Sequence, residues 1–152
     1  MARFQNTTQK YDEEGRKVQK GLNGIKQHNI DYPNLMIFDS KSEYEIYSGL
    51  LAKQGAGLIT ELECKKSFLL VPKRKWYNNV KNKQDIIREL TYITDFVFKR
   101  DGVWIAVDCK GWKEVRDKKT GTLKWKAYYD EIYKIKKKLF LNMYPEYIFE
   151  EL

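Results

Sequence analysis

The most constraining feature of the sequence is an Asp101-Gly102 pair between two runs of apolar, aromatic and β-branched residues. The runs cover residues 91–98 and 103–110, and Asp-Gly is a preferred centre of the two-residue type I′ turn. The pattern therefore predicts a β-hairpin in which Arg100 faces Val103 and the pairing continues stepwise away from the turn.

This register places Asp95 opposite Asp108, with Lys110 two residues further along on the same side. Opposed like charges are destabilising, so we expect a compensating group. A divalent cation fits, because Mg²⁺ is held by one or two carboxylates together with waters and substrate phosphates. A neighbouring lysine can stabilise charge on phosphorus. The alternative is a surface hairpin with two solvated aspartates and an ion pair to Lys110.

The other side of the predicted hairpin carries the apolar pairs Phe98 with Ile105 and Phe96 with Val107. We therefore expect that side to face the core, and the aspartate side to line a cleft or surface.

Helices are predicted on both sides of this hairpin. Ser40 followed by Glu43 is a capping box, which indicates a helix that stops at residues 55–57. Tyr128, Ile132, Ile135 and Leu139 form one stripe of a helix over about residues 127–143.

The remaining segments are assigned by composition. Residues 58–64 and 67–71 are strand-like and suggest a hairpin, and residues 147–150 suggest a short final strand. Residues 73–88 are basic and show no clear hydrophobic period, so they predict an exposed connection. Residues 112–126 predict a polar loop. Residues 1–30 form a basic arm, either a solvated tail or an arm that grips a substrate or partner. We expect one domain over residues 31–152.

The charge of the chain favours a polyanionic partner. Lys and Arg number 29 against 21 Asp and Glu, giving a formal net charge of +8. A solvated helix face is the usual reason for a lysine run, but beside a carboxylate site phosphate contact is the better interpretation. The candidate residues for phosphate contact, which become DNA-binding residues if the polyanion is DNA, are Lys113, Lys126, Lys134, Lys137 and Lys138.

Several classes of protein are disfavoured. No run of residues is long and apolar enough to cross a bilayer, and the amino terminus lacks the apolar part of a secretion signal. Cys64 and Cys109 lack metal-ligand spacing, so we expect reduced thiols in the cytoplasm and no zinc held by cysteine. The only histidine, His28, lies in a polar segment, which argues against a histidine-based triad.

The order of Glu43 on a helix, Asp95 in the next long strand and Asp108-Cys109-Lys110 in the following strand resembles the PD-(D/E)XK nuclease superfamily. Further segments are similar to small phage-borne endonucleases of that superfamily, from Phe38 to the carboxyl terminus. They are residues 38–47, 62–64, 91–98, 106–112 and 134–140.

The resemblance implies an α/β fold with a restriction-endonuclease-like core, in which a mixed central β-sheet is flanked by helices. It implies that Asp95, Asp108, Glu43 and the main-chain carbonyl of Cys109 bind Mg²⁺, which Mn²⁺ would replace. Lys110 matches the catalytic lysine. Capping of the helix remains an alternative role for Glu43. In that case Glu63 is the alternative metal ligand.

Two positions depart from the superfamily pattern. Thr94 stands where a proline usually precedes the first aspartate, which is a common change. Lys65 stands where a neutral polar residue is expected after Cys64, so the role of that strand in holding water is open.

The function implied by the resemblance is metal-dependent cleavage of DNA, with branched DNA such as a Holliday junction or flap as substrate in phage replication or recombination. Cleavage of two symmetry-related strands would call for a homodimer. The alternatives are a nucleic-acid-binding protein on a nuclease-like fold that does not cut, and a basic scaffold protein of a phage particle or replication complex.

Overall fold

The structure is a computed structural model that describes residues 9–19, 21–109, 112–127 and 131–152. The chain divides between residues 56 and 57 into two compact units. Each unit is described by itself.

The first unit contains a small antiparallel sheet, in the order β2-β1-β3, and two helices. Its elements are β1 (Lys10–Asp12), β2 (Lys17–Val18), α1 (Leu22–Asp31), β3 (Ile37–Phe38) and α2 (Lys41–Gly55). Val18 and Phe38 are its most deeply buried apolar residues. Three of these elements, β1, β2 and α1, lie almost wholly within the segment that the sequence predicts as an arm.

Helix α2 begins and ends as predicted. The Ser40 hydroxyl accepts a hydrogen bond from the Glu43 amide (3.1 Å), which satisfies one of the free amides of the first turn. The helix ends at Gly55, and Gly57 has a φ of +75°. Its buried residues are Glu43 and Leu50.

The second unit contains ten strands and one helix within the described residues. They are β4 (Thr60–Cys64), β5 (Ser67–Val71), β6 (Arg74–Asn78), β7 (Lys83–Ile87), β8 (Leu90–Ile93), β9 (Phe96–Arg100), β10 (Val103–Asp108), β11 (Trp112–Arg116), β12 (Leu123–Ala127), α3 (Glu131–Met143) and β13 (Tyr147–Glu151).

A four-stranded sheet with the order β13-β10-β9-β4 forms the centre of this unit. Strands β10 and β13 are parallel, whereas β10 with β9 and β4 with β9 are antiparallel. The sheet is therefore mixed, and the predicted α/β class is confirmed.

The predicted β9–β10 hairpin is also confirmed. Arg100 faces Val103, and the same register runs to the pair Phe96 and Val107. Asp101 and Gly102 have φ values of +52° and +76°, the two positive angles of a type I′ turn. A glycine in the turn removes the strain that a side chain meets at such an angle.

Two strand predictions were wrong. Residues 91–98 do not form one strand, because the chain breaks at Thr94 and Asp95 between β8 and β9, and β8 pairs with β5. Strands β4 and β5 do not form a hairpin with each other, because β4 pairs with β9. These partners are distant in the sequence, so local pattern does not report them.

The predicted apolar stripe of α3 was wrong at Ile132 and Ile135 and was confirmed at Leu139, which packs against the buried core. Tyr133 and Phe140 are the buried residues of this helix, whereas Ile132 and Ile135 are exposed. The stripe through Tyr133 has the same helical spacing as the predicted one but carries larger rings, which remove more apolar surface from water. Tyr128 lies outside the described residues.

Both sides of the β9–β10 hairpin are buried, which corrects the prediction of an open aspartate side. Val97 and Ala106, which share their side with Asp95 and Asp108, are fully buried. Their core cluster consists of Phe68, Leu70, Tyr92, Val97, Ala106, Tyr133 and Phe140. The aspartates thus lie beyond the end of a covered sheet face.

The two segments expected to be irregular both form two-stranded antiparallel sheets. Residues 112–126 are not a loop, because β11 pairs with β12. The connection predicted at residues 73–88 is the β6–β7 hairpin, and it is exposed as expected. No helix in the described part of the chain is long and apolar enough to span a membrane.

Candidate functional site

The backbone around Asp95 connects three strands. The Asp95 amide donates to the Val107 carbonyl (3.0 Å), and the Asp95 carbonyl accepts from the Lys65 amide (3.0 Å). Lys65 follows β4, Asp95 precedes β9, and Asp108 is the last residue of β10. The three side chains are therefore carried on adjacent strands of one sheet, at the same end.

Both oxygens of the Asp95 carboxylate have partners. Oδ1 accepts from the Lys65 ammonium (2.8 Å), and Oδ2 accepts from the Cys109 amide (2.7 Å). The Asp108 carboxyl group lies close enough to Asp95 to contribute to the lowering of the Asp95 pKa. The structure thus brings the two predicted aspartates into contact, although regular pairing of β9 stops at Phe96.

Burial opposes ionisation of Asp95, but its partners outweigh that effect. The Lys65 ammonium, the Cys109 amide and the Asp108 carboxyl group together hold the pKa of Asp95 below its ordinary value. Burial raises the pKa of the Tyr92 hydroxyl, and the charge of Asp108 raises it further. Tyr92 therefore stays protonated beside the two carboxyl groups.

Lys65 is the residue of this site that the sequence analysis did not assign to it. It has a φ of +53° and faces Asp95 across the end of the β4–β9 pair. The signal was present, because Lys65 is one of the two positions that depart from the pattern of the superfamily that the sequence resembles. Its meaning depends on the pairing of β4 with β9, which joins residues about thirty positions apart.

Asp108 is buried and is held by strands on both sides. It is the register partner of Glu151 on the parallel strand β13, and its carbonyl accepts from the Leu152 amide (2.9 Å). Glu151 in turn forms an ion pair with Lys137 of α3. A third acidic residue therefore lies on the strand next to Asp108, and the sequence analysis missed it.

The predicted helical ligand Glu43 belongs to the first unit. It is buried, and its carboxylate accepts a hydrogen bond from the Asp39 amide (3.3 Å). The capping role weighed from the sequence is thus present. Glu63, the alternative metal ligand, is the register partner of Val97 in the sheet. Its side chain is exposed and forms an ion pair with Lys66 (3.2 Å).

The predicted basic residues fall into two groups. Lys110 lies outside the described residues, and so do the side chains of Lys113 and Lys126, whose backbones belong to β11 and β12. Lys134 and Lys138 are exposed on α3. Lys134 forms an ion pair with Glu131 (3.0 Å), and the Lys137 ammonium lies over the Phe149 ring as well as beside Glu151.

The donor chemistry suits a hard divalent cation. Two adjacent carboxyl groups and a main-chain carbonyl at Cys109 are oxygen ligands of the kind that Mg²⁺ accepts, with water completing its shell. Across the described ranges, no three His, Cys, Asp or Glu residues gather in a way that could hold a metal ion. The fit therefore rests on Asp95 and Asp108, and Lys65 has to release Asp95 Oδ1.

Comparison with known proteins places the chain in a family. A family model described as a protein of unknown function (DUF1064) matches residues 25–150, so the chain belongs to the DUF1064 family. The match covers most of both units and includes Lys65, Asp95, Asp108 and Cys109, and it ends one residue before Glu151. No curated protein and no solved structure matches the chain.

Proposed function

We propose that this protein is an Mg²⁺-dependent DNA endonuclease of the PD-(D/E)XK type with a restriction-endonuclease-like core. Its substrate would be branched DNA, such as a Holliday junction or a flap, in phage replication or recombination. The observation that carries the proposal is the contact between the Asp95 and Asp108 carboxyl groups beside the Lys65 ammonium.

The cost of this contact is the reason to assign it a function. Asp108 is buried and the Asp95 side chain is only 16% exposed, and taking two carboxyl groups out of water side by side costs free energy that folding alone does not require. Perturbed carboxyl groups clustered in this way are typical of sites that bind cations or transfer protons.

In this proposal Asp95, Asp108 and the Cys109 carbonyl hold the cation, which Mn²⁺ would also satisfy. Bound Mg²⁺ would supply charge stabilisation at the phosphate and a more acidic water. Asp108 orients the site through its position at the end of β10. Lys65 balances the charge of Asp95 and, once released, can contact a phosphate oxygen. Lys110 has the role of catalytic lysine in this proposal.

The lysines of α3 are the proposed contacts to the DNA backbone. Lys138 is exposed, whereas the Lys137 ammonium forms an ion pair with Glu151. Each lost phosphate contact lowers the salt dependence of binding by about one unit of log K against log salt. We expect Lys138→Ala to lower that slope by about 1 and Lys137→Ala to lower it by less, because Glu151 competes for its ammonium.

The first experiment is nicking of supercoiled plasmid with Mg²⁺ or with EDTA. Wild-type protein should produce nicked circles only with Mg²⁺, and Asp108→Asn should produce none while it still binds DNA. Asp101→Asn is the matched control, since it removes a carboxylate from the turn of the same hairpin. Asparagine tolerates the left-handed conformation there. Cleavage by Asp108→Asn at the wild-type rate would overturn the proposal.

The second experiment identifies the substrate. Four-way junction, flap, nicked, single-stranded and linear duplex DNA are cleaved in parallel, and sedimentation gives the number of subunits on each DNA. Resolution of a junction requires two active sites related by a two-fold axis, so a dimer should form on it. A monomer on every DNA would favour a flap or nicking enzyme.

A DNA-binding protein that does not cut is the second candidate, and the ion pair of Lys65 with Asp95 favours it. That contact already provides Asp95 with a cation from the chain itself. In this case DNA binding would be indifferent to Mg²⁺ and no DNA of the panel would be cleaved. Magnesium-dependent cleavage that disappears in Asp108→Asn excludes this candidate.

A further inference from the structure

The β6–β7 hairpin has no assigned role, and it is a two-stranded sheet without a third strand among the described residues. A hairpin of this kind is only marginally stable by itself in water. It nevertheless carries large side chains in the open, since Trp76 is 44% exposed, Tyr77 is 50% exposed and Ile86 is 56% exposed. Exposed aromatic side chains on a hairpin suggest a surface that is covered by a partner.

The charge of the hairpin indicates what kind of partner fits. Residues 73–88 contain one acidic residue, Asp85, which is bonded to Asn78 (2.8 Å) and paired with Lys81 (3.5 Å). The basic residues of the segment are Lys73, Arg74, Lys75, Lys81, Lys83 and Arg88. A second copy of the same hairpin would bring like charges together, so a polyanion is the complementary partner.

The strand register distributes these side chains over two faces. The Tyr77 face carries Lys75, Tyr77, Gln84 and Ile86, all of them exposed, and it has no acidic residue. The Trp76 face carries Arg74, Trp76, Asn78, Lys83, Asp85 and Ile87. Each face therefore presents one aromatic ring next to basic side chains.

The tip of the hairpin is held in place by its own side chains. The Tyr77 hydroxyl is hydrogen-bonded to Asn82, and Asn78 Oδ1 accepts from the amides of Val80 (3.0 Å) and Lys81 (3.2 Å). The aromatic rings are thus presented from an ordered turn, which lowers the entropy lost when a partner binds. An open groove of about 740 Å³ borders β7, and it is lined by basic and acidic residues together, namely Lys73, Gln84, Asp85, Ile86, Arg88 and Glu89.

We propose that the β6–β7 hairpin binds DNA at points where base pairing is interrupted, with Tyr77 and Trp76 stacking on exposed bases and Lys75 contacting phosphate. Every base has a face that an aromatic ring can cover, so this contact requires no sequence preference. An aromatic ring on each face suits a branch point, where two DNA arms offer terminal bases. The inference rests on the proposed function in taking DNA as the polyanion, and it names the feature of the DNA that is recognised.

The test measures binding by fluorescence anisotropy in EDTA, so that cleavage plays no part. The probes are a splayed DNA fork with two unpaired arms and a blunt duplex with the same paired sequence. Tyr77→Leu and Trp76→Leu should each weaken binding to the fork about tenfold and leave binding to the duplex nearly unchanged. Lys75→Gln should weaken binding to both probes, because phosphates are common to them.

Two controls make the result specific. Val80→Ser alters the same turn at a residue that is 96% exposed, and it removes neither a ring nor a charge. Lys53→Gln removes an exposed positive charge from α2. Both variants should bind the fork like the wild type, apart from a small uniform loss for Lys53→Gln. Thermal unfolding should show that every variant is folded.

The other outcomes are informative. If the aromatic variants bind the fork like the wild type, or lose affinity equally for fork and duplex, the stacking proposal is wrong. If only Lys75→Gln loses affinity for DNA, the hairpin lies along duplex DNA through its basic side chains, and the stacking proposal is again wrong. Displacement of the fork by polyglutamate as effectively as by single-stranded DNA would indicate an acidic protein partner.

The experiment separates this inference from the proposed function. If no Mg²⁺-dependent cleavage occurs but fork binding still depends on Tyr77, the nuclease proposal is wrong and the hairpin proposal stands. If cleavage depends on Asp108 but fork binding does not depend on Tyr77 or Trp76, the hairpin proposal is wrong and the nuclease proposal stands.

Discussion

Each unit of the protein contains an aspartate with a lowered pKa, fully buried Asp12 in the first and half-buried Asp95 in the second, and the two differ in what surrounds them. In the first unit, Asp12 accepts hydrogen bonds from the amides of Glu14 (2.9 Å) and Arg16 (2.8 Å), and it is bonded to His28 Nε2 (2.9 Å). The Arg16 guanidinium completes its surroundings at 3.5 Å. Every partner of Asp12 in this set is a donor or a cation.

Asp95 of the second unit has a different set of partners. It has a cation at Lys65 and a donor at Cys109, but it also lies against a second carboxyl group, Asp108. Asp12 is therefore arranged for stability, whereas Asp95 lies beside a second carboxyl group that also has to be taken out of water. The comparison teaches that the partners of a buried carboxylate, and not its burial alone, distinguish a structural group from a candidate catalytic one.

The largest expected difference is in cleavage. Asp95→Asn should reduce the initial rate of Mg²⁺-dependent plasmid nicking by about 10³-fold or more, because it removes a proposed cation ligand. Asp12→Asn should nick at close to the wild-type rate. Rates are measured at saturating Mg²⁺ on folded protein. Equal losses in the two variants would remove the distinction between the two aspartates.

The reverse difference is expected in stability. Asp12→Ala should lower the free energy of unfolding by about 3 kcal/mol, because it leaves two amides and His28 without their acceptor in a buried place. Asp108→Asn should change it by less than about 1 kcal/mol, since asparagine has nearly the same shape as aspartate and a neutral amide costs less to bury than a carboxylate. Urea unfolding followed by circular dichroism gives both values. A larger loss for Asp108→Asn than for Asp12→Ala would contradict the comparison.

The pH dependence of stability sharpens the assignment of Asp12. Burial opposes its ionisation, but His28, the two amides and Arg16 hold the pKa of Asp12 below its ordinary value of 3.8. Its ionised form therefore contributes stability above that value, and the contribution is lost as the pH falls through the folded pKa. The stability difference between wild type and Asp12→Asn should narrow as the pH falls below 3.8. A difference that grows on acidification would have the wrong sign.

The smallest expected effect is stabilisation by the cation itself. A ligand that binds only the folded protein raises the melting temperature, so millimolar Mg²⁺ should raise it by a few degrees. The shift should persist in Asp12→Asn and disappear in Asp108→Asn. Differential scanning calorimetry with and without Mg²⁺ provides the measurement, and a shift that survives in Asp108→Asn would assign the cation to another place.

The sequence was sufficient where a local signal determines structure. The turn residues Asp101 and Gly102 define the hairpin register, and Ser40 defines the start of α2, since each acts on neighbours in the chain. Asp95 and Asp108 could be brought together because one short turn relates them.

Longer-range features could not be predicted in the same way. The position of Lys65 depends on β4 joining β9, and the contact of Asp12 with His28 joins a strand to a helix through polar groups. Polar contacts leave no hydrophobic period in the sequence. In α3, two stripes of equal helical spacing could have faced the core. Phe140 is buried because it packs on the rings of Phe68 and Tyr92, and these contacts cannot be seen in the sequence of the helix.

The parallel pairing of β10 with β13 has a consequence for the order in which the chain folds. Residues 104–108 pair with residues 147–151, so β10 gains this neighbour only after synthesis has passed α3. Chains emerge at about 5–20 residues per second, which leaves a strand edge open for roughly two to nine seconds. During that interval the apolar edge of β10 is a site at which nascent chains can associate. The strand that carries Asp108 is thus the last of the central sheet to be enclosed.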